Sequence, residues 1–113
     1  MNTSLTKKSK KMLRDLKGKR CAIDCLERLS ESEKTDAFEE RRRALASEVE
    51  AAEMALASLS GTQRELLNRF YIEREEGFLD GMCSERCCQK STLYRSCRMA
   101  LRAFTVAMFG SDA

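Results

Sequence analysis

Along residues 6–29, apolar side chains recur at Met12, Leu16, Ile23 and Leu26, with Lys19 filling the one missing step. Alternating steps near four and three mark a helix that lays a narrow seam along another helix. At 1.5 Å per residue, such a segment is roughly 36 Å long. The stretch "SESEKTD", 30–36, then breaks the pattern with short polar residues that suit a turn and a helix N-cap. A second series follows: Phe38, Arg42, Leu45, Val49, Ala52, Leu56 and Leu59, at steps of 4, 3, 4, 3, 4 and 3. It predicts a second long helix. Neither helix can hide its own stripe, so something must cover each.

From "LSGTQRELLNRFYIE" onward the elements shorten. Ser60 or Thr62 can cap a third helix, with Leu66, Leu67, Phe70 and Tyr71 as its core face. Gly77 is expected to end it, because glycine takes the positive φ that a turn often needs. "FLDGMCSER", 78–86, reads as a short amphipathic helix with Phe78, Leu79, Met82 and Cys83 inward. A last helix is predicted from about Lys90 to Phe109. Leu93, Cys97, Ala100, Leu101, Phe104 and Met108 share one side of it. Ser91, Arg95, Arg98 and Arg102 form the opposite stripe, at steps of 4, 3 and 4. The prediction is all-α: a long N-terminal helical hairpin, 1–59, then a tri-helical helix-turn-helix unit, 60–113. Helix, short helix, tight turn and basic helix is the order of a DNA-binding unit.

Charge sharpens this picture. The 113-residue chain has a net charge of only +3, unevenly spread. Residues 1–30 hold nine Lys/Arg against three acids, and residues 31–60 hold four against eight. An acidic second helix beside a basic first one favours an antiparallel hairpin or a dimeric bundle. Residues 89–104 carry Lys90, Arg95, Arg98 and Arg102 and no acid at all. A basic N-terminus and one basic helix fit contact with a polyanion better than the net charge suggests. No apolar run reaches the roughly 18 residues of a membrane span, and no signal peptide opens the chain. The expectation is a cytoplasmic protein with six cysteines as free thiols and no membrane partner.

The cysteines raise the question of a metal. Cys21 and Cys25 share a helix face, and Cys83, Cys87, Cys88 and Cys97 are expected near one another around the second turn. Zinc sites, however, usually show C-x2-C pairs or histidines, and this chain has no histidine. Cys83 and Cys97 fall at core positions, where a free thiol packs well. Cys87 and Cys88 are assigned to the turn itself. No metal or cofactor is expected. With no histidine, no Gly-rich phosphate loop and no spaced cluster of acids, no enzyme is expected either.

The segment "RFYIEREEGFLDGMCSERCCQKSTLYRSCRMALRAFTVAMFG", 69–110, resembles the C-terminal part of phage and prophage regulators of the ArpU type. Their helix-turn-helix is similar to region four of the bacterial sigma factors. The resemblance rests on the "RFYI" helix at Arg69–Ile72, Gly77 before a short helix and the Ser91–Arg95 stretch. It continues through Ala100–Phe104 and the closing Phe109–Gly110. Two positions depart from the pattern, where relatives usually carry an apolar residue for Arg86 and glycine for Cys87. Arg86 must therefore reach solvent or lay its stem over the core. Cys87 must adopt a left-handed conformation at some cost, or the turn has a different shape.

What the resemblance implies is a sequence-specific transcriptional regulator of double-stranded DNA, acting at the nucleoid of a bacterial host. Carried over by position, Lys90, Ser91 and Arg95 should point at base edges in the major groove. Thr92 and Tyr94 should flank them, and Arg98 and Arg102 should lie nearer the phosphates. Gln89, at the helix entry, completes the expected DNA-binding set. The seams favour a homodimer, which would place two basic helices side by side for two half-sites. The seams leave a monomer open as well, if the hairpin folds back on the C-terminal unit. Two alternatives stand beside the regulator: a helical protein–protein interaction module, and a sigma-like factor acting through RNA polymerase.

Overall fold

A computed structural model describes residues 3–29, 32–33 and 35–111, and among them the protein is all-α. Five helices follow in order: α1 Thr3–Glu27, α2 Asp36–Ala57, α3 Gly61–Leu67, α4 Phe78–Arg86 and α5 Lys90–Phe109. A π-helical turn, Asn68–Ile72, continues α3. Among the described residues, no helix is long and apolar enough to cross a membrane. Ser30, Glu31 and Lys34 of the predicted first turn lie outside the described residues.

The helix ends follow from local chemistry. Thr35 caps α2, its side-chain oxygen accepting from the Phe38 amide at 3.3 Å. Ser60, rather than Thr62, caps α3 through a reciprocal box. The Gln63 amide donates to Ser60 Oγ and the Ser60 amide to Gln63 Oε1, both at 3.2 Å. Between these helices Arg64 reaches back to the carbonyls of Leu59, at 2.9 Å, and Ala57, at 3.3 Å. A guanidinium there satisfies carbonyls left over at the α2 terminus.

The expected end of the third helix at Gly77 is corrected. The helical path stops at Ile72, where the Glu73 amide bonds the Asn68 carbonyl at 2.7 Å, a five-residue step. Gly77 instead opens α4, in the left-handed region at φ 76°. Four polar residues, "EREE", lie between, with no apolar side chain to carry the core face further.

α1 and α2 form the expected hairpin, with opposite charges facing across it. Lys19 Nζ lies 2.9 Å from Glu48 Oε2, and Arg20 Nη2 lies 2.9 Å from Glu53 Oε1. Such exposed pairs set register more than stability. The apolar seams are covered within the chain, because the hairpin folds back on the C-terminal helices. α5 packs against all four other helices, and Leu13, Leu16, Val49, Ala52, Leu56, Met82, Leu93 and Phe104 belong to one continuous core. The fold-back of the hairpin on the C-terminal helices is thus the arrangement seen for the inner half of each seam.

That arrangement changes which α1 residues are inside. Ser9, Leu13 and Leu16 are buried, whereas Met12 is only half-buried. α1 touches α2 on one side, and α5 and the π-helical turn on another, so a wider face than a two-helix seam is covered. Further out the seam opens. Phe38 is 41% exposed, and Ile23, Leu26 and Leu45 are half-buried. The molecule measures 54 × 32 × 21 Å, elongated as a long helical hairpin makes it.

Two buried hydroxyls lock α1 to α5. Ser9 Oγ and Thr105 Oγ1 are 2.8 Å apart, and Thr105 Oγ1 also donates to the Leu101 carbonyl at 2.7 Å. Both side chains are fully buried. A polar pair inside an apolar contact specifies one register, because any slip leaves a hydroxyl unbonded.

Candidate nucleic-acid interface

The interface is built from the turn between α4 and α5. Cys87 sits in the left-handed region at φ 52°, ψ 46°, so the opening cysteine of the pair does form the turn. The Cys88 amide reaches back to the Cys83 carbonyl at 3.2 Å, which closes the end of α4. A side chain in this conformation costs about 1–2 kcal/mol. Substituting Cys87→Gly should therefore stabilise the protein by about 0.5–1 kcal/mol, after the greater unfolded-state freedom of glycine is counted. Cys87→Val should destabilise it by 1 kcal/mol or so. Urea denaturation of the two variants checks both signs, and a destabilised glycine variant would contradict the turn geometry.

Arg86 resolves as a covering residue. It is half-buried, and its guanidinium lies 3.3 Å from Glu65 on α3. Arg69 is tied to the same acid and to Glu85 at 2.6 Å, so α3 and α4 are laced together. The turn is rigid from below.

An aromatic group fixes the start of α5 in the same way. Phe70 meets Phe78 edge-on at 5.2 Å and Tyr94 edge-on at 5.9 Å, joining the π-helical turn, α4 and α5. Tyr94 is 47% exposed, one side of its ring held and the other wet. Beside this group, burial pushes the Tyr71 hydroxyl up to about 12, with the Cys97 thiol nearby adding to the rise. Burial likewise raises the Cys97 thiol. Both groups stay protonated near neutral pH, and Cys97 acts as core rather than as a nucleophile.

With its inner face anchored by Leu93, Cys97, Ala100, Leu101 and Phe104, α5 turns the other face outward. Gln89, Lys90, Ser91, Thr92, Tyr94, Arg95, Arg98 and Arg102 are all exposed. Ser91, Arg95, Arg98 and Arg102 run as one stripe, about 10 Å long from Arg95 to Arg102. Among the described residues, Arg95 and Arg98 form no ion pair. Gln89 makes no side-chain cap, and its carbonyl accepts from the Thr92 and Leu93 amides.

Two features of this face are absent from the sequence reading. Lys90 Nζ lies 3.3 Å from Asp80 on α4, so in the free protein it leans off the stripe toward the short helix. A contact between helices leaves no trace in periodicity. Met99 is 63% exposed between Arg95 and Arg102, at steps of four and three. It stands on the stripe as an apolar group, and its spacing from Arg95 was the available signal.

The cysteines around the turn differ in exposure, and Cys83 and Cys88 are joined by a backbone hydrogen bond. Cys97 is buried, Cys83 and Cys88 are half-buried, and Cys87 is exposed. No three His, Cys, Asp or Glu side chains among the described residues come together to hold a metal ion. What the interface offers is positive charge, hydroxyls and one thioether on a rigid helix. Compared with family models, curated proteins and solved structures, the chain matches none.

Proposed function

We propose that the protein binds double-stranded DNA through α5, as a sequence-specific transcriptional regulator of phage or prophage type. The observation that carries the reading is the outward stripe of α5. It holds arginines and no acid, and Arg95 and Arg98 have no ion-pair partner among the described residues. An ordinary solvated helix face intersperses both signs, which this one does not. The left-handed turn at Cys87 and the short α4 lead into α5, whose outer face is exposed, as insertion of a helix into a major groove requires. In this reading, phosphate contacts supply most of the affinity, and Arg95 supplies base discrimination. Retardation of a random duplex pool by the purified protein at low salt tests it. No shift of any duplex would refute it.

The reading includes a homodimer joined through the outer part of the hairpin. Phe38, with Leu26 and Leu45, lies outside the shared core, on the end that a second copy could cover. Sedimentation at micromolar concentration is expected to give twice the 12.9 kDa chain mass. A single species at the monomer mass would remove the dimer and leave α5 untouched.

A further inference from the structure

A second acid-free basic run lies at the other end of the chain. Residues 3–14, "TSLTKKSKKMLR", contain Lys7, Lys8, Lys10, Lys11 and Arg14 and no acid. The basic residues of α1 divide sharply by what they touch. Lys17 bonds Glu73 at 2.8 Å, Lys19 reaches Glu48 and Arg20 reaches Glu53, so each of these holds α1 to another element. The Arg14 guanidinium lies over the Tyr71 ring, 5.7 Å from its centre. Lys7, Lys8 and Lys10 form no ion pair among the described residues. Lys11 meets Asp15, one turn on along its own helix and half-buried.

Lys7 and Lys8 tie α1 to no other element, and Lys11 contributes only a pair within its own helix. Their position in the fold is what distinguishes them. The buried Ser9–Thr105 hydrogen bond clamps this stretch of α1 onto the later turns of α5. Lys8, Lys11 and Met12 line a shallow hollow together with Phe109 from the end of α5. Lys8 and Lys11, with Lys7 beside them on α1, therefore lie toward the end of α5, beyond the part that would enter a groove.

We infer that Lys7, Lys8 and Lys11 form a second phosphate-binding element, which grips the duplex backbone beside the site read by α5. This rests on the proposed DNA reading of α5. The first turns of α5 would read bases, and the α1 lysines would hold the flanking backbone and fix how the protein lies on it. Exposed lysines are suited to this as point charges without base preference.

The test is the triple variant Lys7→Ala, Lys8→Ala and Lys11→Ala, compared with wild type, with Arg95→Ala and with the corresponding triple arginine variant. All three positions are exposed, so an unchanged circular dichroism spectrum is expected. Affinity for a duplex selected by the wild type is measured across salt concentrations. The alanine variant should show a log–log salt slope smaller by about two to three, from three lost phosphate contacts at about 0.9 each. Its base preferences should be unchanged, and the arginine variant should restore the slope. A wild-type slope in the alanine variant, while Arg95→Ala still alters base preference, overturns the inference and leaves the α5 reading standing. Failure of the wild type to bind any duplex overturns both. Lysine-dependent retention on phosphatidylserine vesicles with unchanged duplex binding also overturns it, assigning the patch to a membrane surface.

Discussion

Replacing Phe104 by alanine is expected to destabilise the protein by about 3–5 kcal/mol, a large part of the stability of a chain this size. Phe104 is 0% exposed and belongs to the core that α1, α2, α3 and α4 share with α5. Truncation would remove apolar surface and leave a cavity that long, mutually braced helices cannot easily close. Because the hairpin and the C-terminal helices share this core, their helicity should melt in one transition at a lower temperature. Thermal denaturation followed by far-ultraviolet circular dichroism checks this. A two-step melt, with the hairpin surviving the loss of Phe104, would show instead that residues 1–59 and 60–113 are stable separately.

The second large effect concerns salt. Two phosphate contacts from Arg98 and Arg102 imply a log–log slope of about −1.8, so duplex affinity should fall about tenfold when salt rises fourfold. Contacts from the α1 lysines would steepen it. Arg102→Ala should weaken all sequences alike and reduce the slope by about one. Lys90→Ala should do less than its charge suggests, because in the free protein Lys90 already faces Asp80 and must leave it on binding. Fluorescence anisotropy of a labelled duplex at several salt concentrations gives these slopes directly. Binding indifferent to salt would rule out a phosphate-dominated interface.

Much of this architecture is legible because burial imposes a period. Val49, Ala52, Leu56 and Leu59 are inside as their spacing requires, and so are Leu93, Cys97, Ala100, Leu101 and Phe104. The α5 stripe is legible for the complementary reason, since residues facing away from the core inherit the same period. What escapes is whatever depends on a third partner. Leu13 is buried because α1 packs on two sides, which a two-helix seam does not anticipate. Ser9 and Thr105 are polar, so no hydropathy pattern puts them inside, and only their mutual hydrogen bond makes their burial tolerable. Phe38 errs the other way. It fits the heptad but is 41% exposed. The left-handed conformation of Cys87 depends on backbone contacts such as Cys88 to Cys83, which no residue pattern reports.

The most direct test of the central claim is selection of bound duplexes from a random pool, run in parallel with wild-type protein and Arg95→Ala. Arg95 is exposed, lies in the second turn of α5 and has no ion-pair partner among the described residues, so its loss should leave the fold intact. The wild type is expected to enrich a defined sequence. Arg95→Ala should bind that sequence about 1–3 kcal/mol more weakly and lose preference at one base pair while keeping the rest. A wild type that enriches nothing, or an Arg95→Ala profile identical to it, would contradict the assignment of α5 as the helix that reads DNA.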